Sequence, residues 1–425
     1  MAPAKSNTSR KSSTQAPRSD KKKNSGPTPG SHRKPQGQQQ QQQKQPGPNN
    51  EAQNKIDISN SIPLSLQQLL LNVFKAALLP SNTSFSKEKG IEEGPAEESQ
   101  LDTKTLIQTL KSHLYNRDFE SAFADASGEL LRAYALRWSA ARALGYAGLF
   151  KSLLGVLNQE QCGTQSEGSG RHHIVCIGGG AGAEIVALAA SWRDLMDAQS
   201  GDPSDALGTL SLDTAKAEEE QSSPSLSITA VDIGDWSAVV DRLSSTVLSP
   251  NVPSSKSHPA PLLPTHYNLA VGFNRLNVLS LSEPELKSLY HTTQSPSSTP
   301  TTLVTLMFTL NELFSTSMAK ATAFLLRTTD LLQPGTIFLV VDSPGSYSTL
   351  KLGKSDGSDA PQERQYPMKF LLDHTLLSVA KAKWEKIYSQ DSRWWRRDAT
   401  RLWYDVGEGA GLEDMRFQIH IYRRL

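Results

Sequence analysis

The run Gly178-Gly179-Gly180-Ala181-Gly182 constrains this chain more than any other, because of what flanks it. Before it lies IVCIG (Ile174 to Gly178), a short apolar stretch of the buried-strand type, and after it the helical AEIVALAASW. A strand that empties into glycines and then a helix needs backbone free to turn at unusual dihedrals, and leaves a ligand able to approach with no side chain between. The pattern points to a nucleotide-type cofactor site; tight strand–helix packing without a ligand is the bland alternative.

The alternation continues. SITAVD (Ser227–Asp232), LVTLMFTL (Leu303–Leu310) and TIFLVVD (Thr336–Asp342) read as further buried strands, with helical stretches at Ser237–Val247, Glu283–Leu289 and Ser315–Leu332. Strands and helices in turn predict a parallel α/β sheet. Polar stretches near 199–225, 250–265, 292–301 and 353–365 read as surface insertions. The α/β domain therefore spans 166–425, preceded by an all-helical region at 56–165 and a disordered tail at 1–55.

That tail is Ser, Pro, Lys, Gly and Gln, with eight glutamines in the ten positions from Gln36 to Gln45, and lacks the apolar surface that would offset ordering. The helical region shows apolar residues at helical spacing from Leu66 to Leu78 before Pro80, then from Leu106 to Leu157. A net charge of +1 conceals ten basic residues and one acid in residues 1–50 against 34 basic and 42 acidic in the remainder, a layout common in chains that meet nucleic acid. Cys162 and Cys176 are the only cysteines, too few for a disulfide scaffold or a structural zinc finger, and no metal site is expected. No stretch approaches the about 18–20 apolar residues that span a bilayer, so the expectation is a soluble intracellular protein without a membrane partner.

The glycines alone do not choose the cofactor. Gly178, Gly180 and Ala183 satisfy the dinucleotide pattern, while Gly178, Gly180 and Gly182 satisfy the G-x-G-x-G of S-adenosylmethionine (SAM) enzymes. Asp232, at the end of the second strand, suits ribose hydroxyls, with Asp235 as fallback, and Asn277-Val278 falls where an adenine would lie. The C-terminus decides. A helix over Met368–Lys383 and strands near Leu402–Val406 and Phe417–Tyr422 predict a terminal antiparallel pair, as in the Rossmann-like seven-stranded SAM-methyltransferase sheet. A dinucleotide domain so placed leaves no room for a substrate domain.

HIVCIGGGAGAE, YALRWSAARAL (Tyr134–Leu144), TLNELF (Thr309–Phe314) and LVVDSPGSYS (Leu339–Ser348) together resemble a fungal family of large-subunit ribosomal RNA uridine-N(3)-methyltransferases, over roughly residues 60–425. The resemblance implies SAM as methyl donor, ribosomal RNA or a pre-ribosome as partner and a nucleolar location. It places Gly178, Gly180, Gly182 and Asp232 at cofactor positions. Where an acidic residue often stands two before the first glycine, this chain has Cys176; Glu184 is the candidate substitute for holding the SAM amino group.

Methylating carbon-5 of a pyrimidine needs a cysteine nucleophile, and neither cysteine suits, one inside a buried strand and one in a polar linker. Transfer to a ring nitrogen, an amine or a ribose hydroxyl needs only a held nucleophile and a proton acceptor. The fourth strand delivers Asn311 and Glu312 as candidate base reader and proton acceptor, with Phe314 as a stacking ring, and the fifth delivers Asp342. Arg137, Trp138 and Arg142, and the cluster of Arg393, Trp394 and Arg397, are candidate RNA contacts. Two other classes compete: a SAM-fold enzyme acting on a protein or small molecule, and a non-catalytic RNA-binding module.

Overall fold

The computed structural model describes residues 56–80, 101–162, 170–200, 225–291, 300–345, 347–352 and 362–425. The tail at 1–55, and most of the stretches near 199–225, 292–301 and 353–365, lie outside these residues, as does the side chain of Cys162.

Among the described residues nine strands follow one another: β1 (Arg171–Ile177), β2 (Ser225–Asp232), β3 (Asn268–Arg275), β4 (Thr301–Met307), β5 (Ile337–Asp342), β6 (Tyr347–Leu352), β7 (Gln362–Pro367), β8 (Trp384–Trp395) and β9 (Met415–Arg424). Seven form one sheet in the order β3-β2-β1-β4-β5-β9-β8, and β6 pairs with β7 alone. Strands β1 to β5 are parallel; β9 runs antiparallel to both β5 and β8. The chain builds outward from β1 to β3, then returns to place β4 on the other side of β1. That reversal opens a crevice at the carboxyl ends of β1 and β4, the usual ligand position in open parallel sheets.

Among the described residues ten α-helices accompany the sheet: α1 (Leu64–Leu78), α2 (Thr103–Tyr115), α3 (Gly128–Tyr134), α4 (Ala140–Cys162), α5 (Ala183–Ser200), α6 (Ser237–Val247), α7 (Glu283–Tyr290), α8 (Leu310–Thr316), α9 (Met318–Leu331) and α10 (Met368–Asp373). Alternation along β1 assigns them to faces. Ile174 and Cys176 join the core shared with α1, α4, α5 and α6, while Val175 and Ile177 join that of α7, α9 and α10. The helical N-terminal region thus packs directly on the sheet face that carries α5. Among the described residues no helix is long and apolar enough to cross a membrane.

Several local expectations change. The helix expected over Ser315–Leu332 is two, because Ser317 is extended and its hydroxyl caps Lys320 N. The helix expected over Met368–Lys383 ends with a π turn at Val379, and β8 begins at Trp384. Leu402–Val406 pairs with no strand. Its alternation is that of an extended segment laying Leu402, Tyr404 and Val406 against the helical layer, with Tyr404 Oη donating to Leu136 O at 3.0 Å. Nor is 250–265 a surface insertion: Val252, Leu262 and Leu263 are buried, and Arg193 donates to Pro259 O and Pro261 O.

Candidate active site

The turn after β1 is held bare by its neighbours. Gly178 has φ +77°, and a Cβ there would stand 2.0 Å from Thr309 Oγ1; one on Gly180 would stand 2.2 Å from the Trp236 ring. Gly178 N donates to Val231 O at 2.7 Å, and Gly180 N to Asp232 Oδ2 at 3.2 Å, so the turn is tied to the end of β2. Asp232 Oδ1 also accepts from Gly234 N at 3.2 Å. Burial raises its pKa to about 6 despite these bonds. After β3, Asn277 Oδ1 accepts from Leu279 N at 3.0 Å and turns Val278 and Leu279 toward the crevice. Gly178, Ala181, Asp232, Asn277 and Val278 line this first lobe of the pocket.

The second lobe begins at the ends of β4 and β5. Phe308 follows β4 with φ 60°, a left-handed conformation that costs a bulky residue energy and marks functional turns. Asp342 accepts from Asn311 N at 2.9 Å and from Ser343 N at 2.7 Å, which fixes the first turn of α8 to the end of β5. Burial raises the Asp342 pKa to about 6. Asn311 Oδ1 is buried with no partner among the described residues. Burial, and then the neighbouring carboxyls of Asp342 and Asp232, raise the Glu312 pKa to about 8.

The helical layer closes this lobe with Leu114, Phe119, Tyr134, Trp138 and Arg142. A π turn over Ala135–Ser139 links α3 to α4, and positions 134, 138 and 142 share one face. Arg142 donates to Tyr134 Oη at 2.7 Å, and its guanidinium lies 4.8 Å from the Phe308 ring centroid. Phe119, Tyr134, Arg142, Phe308 and Glu312 border both lobes, which are therefore continuous.

Asn311, Glu312, Asp342, Asp232, Asn277, Gly178, Trp138 and Arg142 line this pocket, and Gly180 forms the turn beside it. Gly182 instead packs α5 on α6, where a Cβ would meet Leu243 Cδ1 at 2.2 Å. Glu184 is buried beneath the turn, accepts from Thr305 Oγ1 at 2.6 Å and borders neither lobe. Burial raises its pKa to about 7. Phe314 is buried in the core with α9 and is not free to stack; the open ring is Phe308, which the sequence reading absorbs into the strand. Arg137 points away from the pocket, buried and paired with Glu413, and joins the helical layer to the C-terminal segment. The Arg393–Arg397 cluster sits apart from the pocket, on and just after the edge strand β8. Trp394 is 51% exposed, with Arg396 4.2 Å and Arg416 5.8 Å from its ring centroid, whereas Arg397 donates to Leu412 O. Cys176 is buried in β1, its thiol pKa pushed up by burial. Among the described residues no cluster of His, Cys, Asp and Glu could hold a metal ion.

Comparison with known proteins gives the site its context. The family described as "Putative SAM-dependent methyltransferase" matches residues 90–423. The 25S rRNA (uridine(2843)-N(3))-methyltransferase of Saccharomyces cerevisiae is 30% identical over 380 residues, 88% of this chain and 89% of the yeast protein. Among solved structures, a SAM-dependent methyltransferase from Methanosarcina mazei is 12% identical with a TM-score of 0.31, over 60% of this chain and 93% of that one. An O-methyltransferase family protein from Burkholderia thailandensis is 10% identical with a TM-score of 0.29, over 84% and 82%. The residues of the first lobe fit SAM. A carboxylate offers about four acceptor sites, so Asp232 keeps room for ribose hydroxyls after two backbone bonds. Val278 and Leu279 give an apolar wall for a base, and Gly178 and Ala181 of the turn border the same space. Three carboxyls, those of Asp232, Glu312 and Asp342, suit a sulfonium cation.

Proposed function

The chain belongs to this family of SAM-dependent methyltransferases, and on that premise we propose that it methylates N3 of a uridine in large-subunit ribosomal RNA during ribosome biogenesis. The observation that carries this reading is the second lobe, where an unpartnered amide and a carboxyl of raised pKa stand side by side on the first turn of α8. The extended similarity to the yeast enzyme supports the same substrate.

Uridine N3 bears a proton that must leave as the methyl group arrives. The bound cofactor supplies an electrophilic methyl group. Glu312 takes the imide proton; a pKa of about 8 lets it hold that proton while remaining partly ionised near neutrality. Asn311 offers an amide to the imide edge of the base, and Asp342 positions it through the backbone. Phe308 and Trp138 give planar walls to a base drawn out of its stack. Gly178, Gly180, Asp232 and Asn277 hold the cofactor; Gly182 and Glu184 support the turn from beneath. The basic tail and the exposed Arg393–Trp394 edge supply attraction for RNA, and the site of action is the nucleolus, on a pre-ribosome.

Labelled SAM tests this directly. Large-subunit RNA from a strain lacking the protein should accept methyl, recovered as N3-methyluridine, while RNA from the complete strain should not. Unlabelled RNA with a labelled protein or small molecule in the same extract would reject the RNA assignment.

A further inference from the structure

Among the described residues lining the two lobes Arg142 is the one cation, at the point where they meet. Tyr134 Oη takes one of its N–H groups, and the rings of Phe308 and Tyr134 lie 4.8 and 5.6 Å from its guanidinium. Among the described residues no carboxylate pairs with it, unlike Arg137, which meets Glu413. A guanidinium has five N–H donors and the bond to Tyr134 uses one, so the others can meet an anion that arrives with a ligand.

The arrangement of the pocket says which anion. Asn277 to Leu279 form the base end of the first lobe and Asp232 follows. Arg142 stands beyond them, within electrostatic reach of Glu184 beneath the turn and of Glu312 and Asp342 in the second lobe. A donor laid with its adenine at Asn277 and its ribose at Asp232 extends its amino-acid tail past the turn toward Arg142. That tail carries the only fixed negative charge of SAM. We propose that Arg142 is the anchor for the carboxylate of the cofactor, its guanidinium aimed by the Tyr134 hydroxyl and braced on Phe308. The assignment rests on the reading that the first lobe holds SAM. It makes the helical layer part of the cofactor site, since Tyr134 closes α3 and Arg142 lies in the first turn of α4.

The test compares two ligands, S-adenosylhomocysteine, which has the amino-acid tail, and 5′-deoxy-5′-methylthioadenosine, which ends at the methylthio group. Binding of each to the full chain is measured calorimetrically for the wild type, Arg142→Met and Arg142→Lys. Losing one partner of a desolvated charge pair should weaken S-adenosylhomocysteine by roughly 30-fold or more in Arg142→Met. Methylthioadenosine should change by less than about twofold, the margin allowed for a mutation that touches none of its groups, and Arg142→Lys should recover part of the loss. Unchanged S-adenosylhomocysteine affinity would overturn the assignment and give Arg142 to the acceptor base. Equal loss of both ligands would also overturn it, showing that Arg142 only shapes the pocket. A wild type that binds neither ligand would overturn the cofactor reading beneath it as well.

Discussion

At the ends of β1, β2 and β3 the polar groups are already occupied: Asp232 accepts from Gly180 N and Gly234 N, and Asn277 from Leu279 N. At the ends of β4 and β5, among the described residues, Asn311 Oδ1 is buried without a partner and the carboxyl of Glu312 accepts no hydrogen bond. The first lobe is therefore braced by its own backbone, whereas the second keeps an unpaired amide oxygen and an unbonded carboxyl among the described residues. Preorganised binding and waiting chemistry are separate properties, and substitutions should separate them.

The widest separation is expected at Glu312. Glu312→Gln should lower methyl transfer roughly 10²–10⁴-fold, the usual contribution of a positioned base, with affinity for S-adenosylhomocysteine nearly unchanged. A matching loss of affinity would merge the lobes into one. Asp232→Ala should do the reverse, weakening cofactor binding by roughly 30-fold through lost hydrogen bonds to a charged acceptor, with a smaller effect on the chemical step once SAM is saturating.

The pH profile sharpens the same contrast. With its pKa at about 8, Glu312 is protonated below that value, so the transfer rate should climb as pH rises and level off above about 8. Glu312→Gln should flatten that limb. Stability should move the other way. Above the ordinary carboxyl range the folded state keeps protons that the unfolded chain has released, so the stability they confer is lost as pH rises through the folded values of about 7 for Glu184 and about 8 for Glu312. The buried His172, His173 and His420, lowered to about 4, act oppositely, but only below about 6.5. Between pH 6.5 and 8.5 the melting temperature of the ligand-free protein should therefore fall, by less in the Glu312→Gln variant. The smallest effect is expected at the sheet edge. Trp394→Ala should weaken RNA binding by roughly tenfold, about one stacked base, without altering S-adenosylhomocysteine affinity.

The first lobe was far more legible in the sequence than the second. A glycine turn between a buried strand and a helix, followed by a strand ending in aspartate, is readable from short stretches of chain, and Gly178 and Asp232 border the pocket while Gly182 and Glu184 lie behind it. The second lobe depends on partners distant in sequence. Phe308 looked like the continuation of an apolar strand, and only its left-handed backbone turns it into a wall. Phe314 looked open because it follows Asn311 and Glu312, yet helical spacing carries it into the core. Arg137 and Arg142 read alike as basic residues before the sheet; one meets Glu413, more than two hundred positions away, and the other pairs with no carboxylate among the described residues. In the C-terminal segment, alternation at Leu402–Val406 mimicked a strand because an extended segment packed on helices buries every second residue too.

The position of β9 governs the order in which the molecule can be assembled. Strand β8 leaves the ribosome first, yet its one neighbour in the sheet is β9, which inserts between it and β5. Until β9 is made, β8 has no strand among the described residues to pair with, and the backbone of β5 is open along one side. Pairing β5 with β9 closes contacts across some eighty residues of chain, and such distant closures slow folding. The arginine–tryptophan edge on β8 is thus held in the sheet only once β9 has been made, so any surface it offers appears late in synthesis.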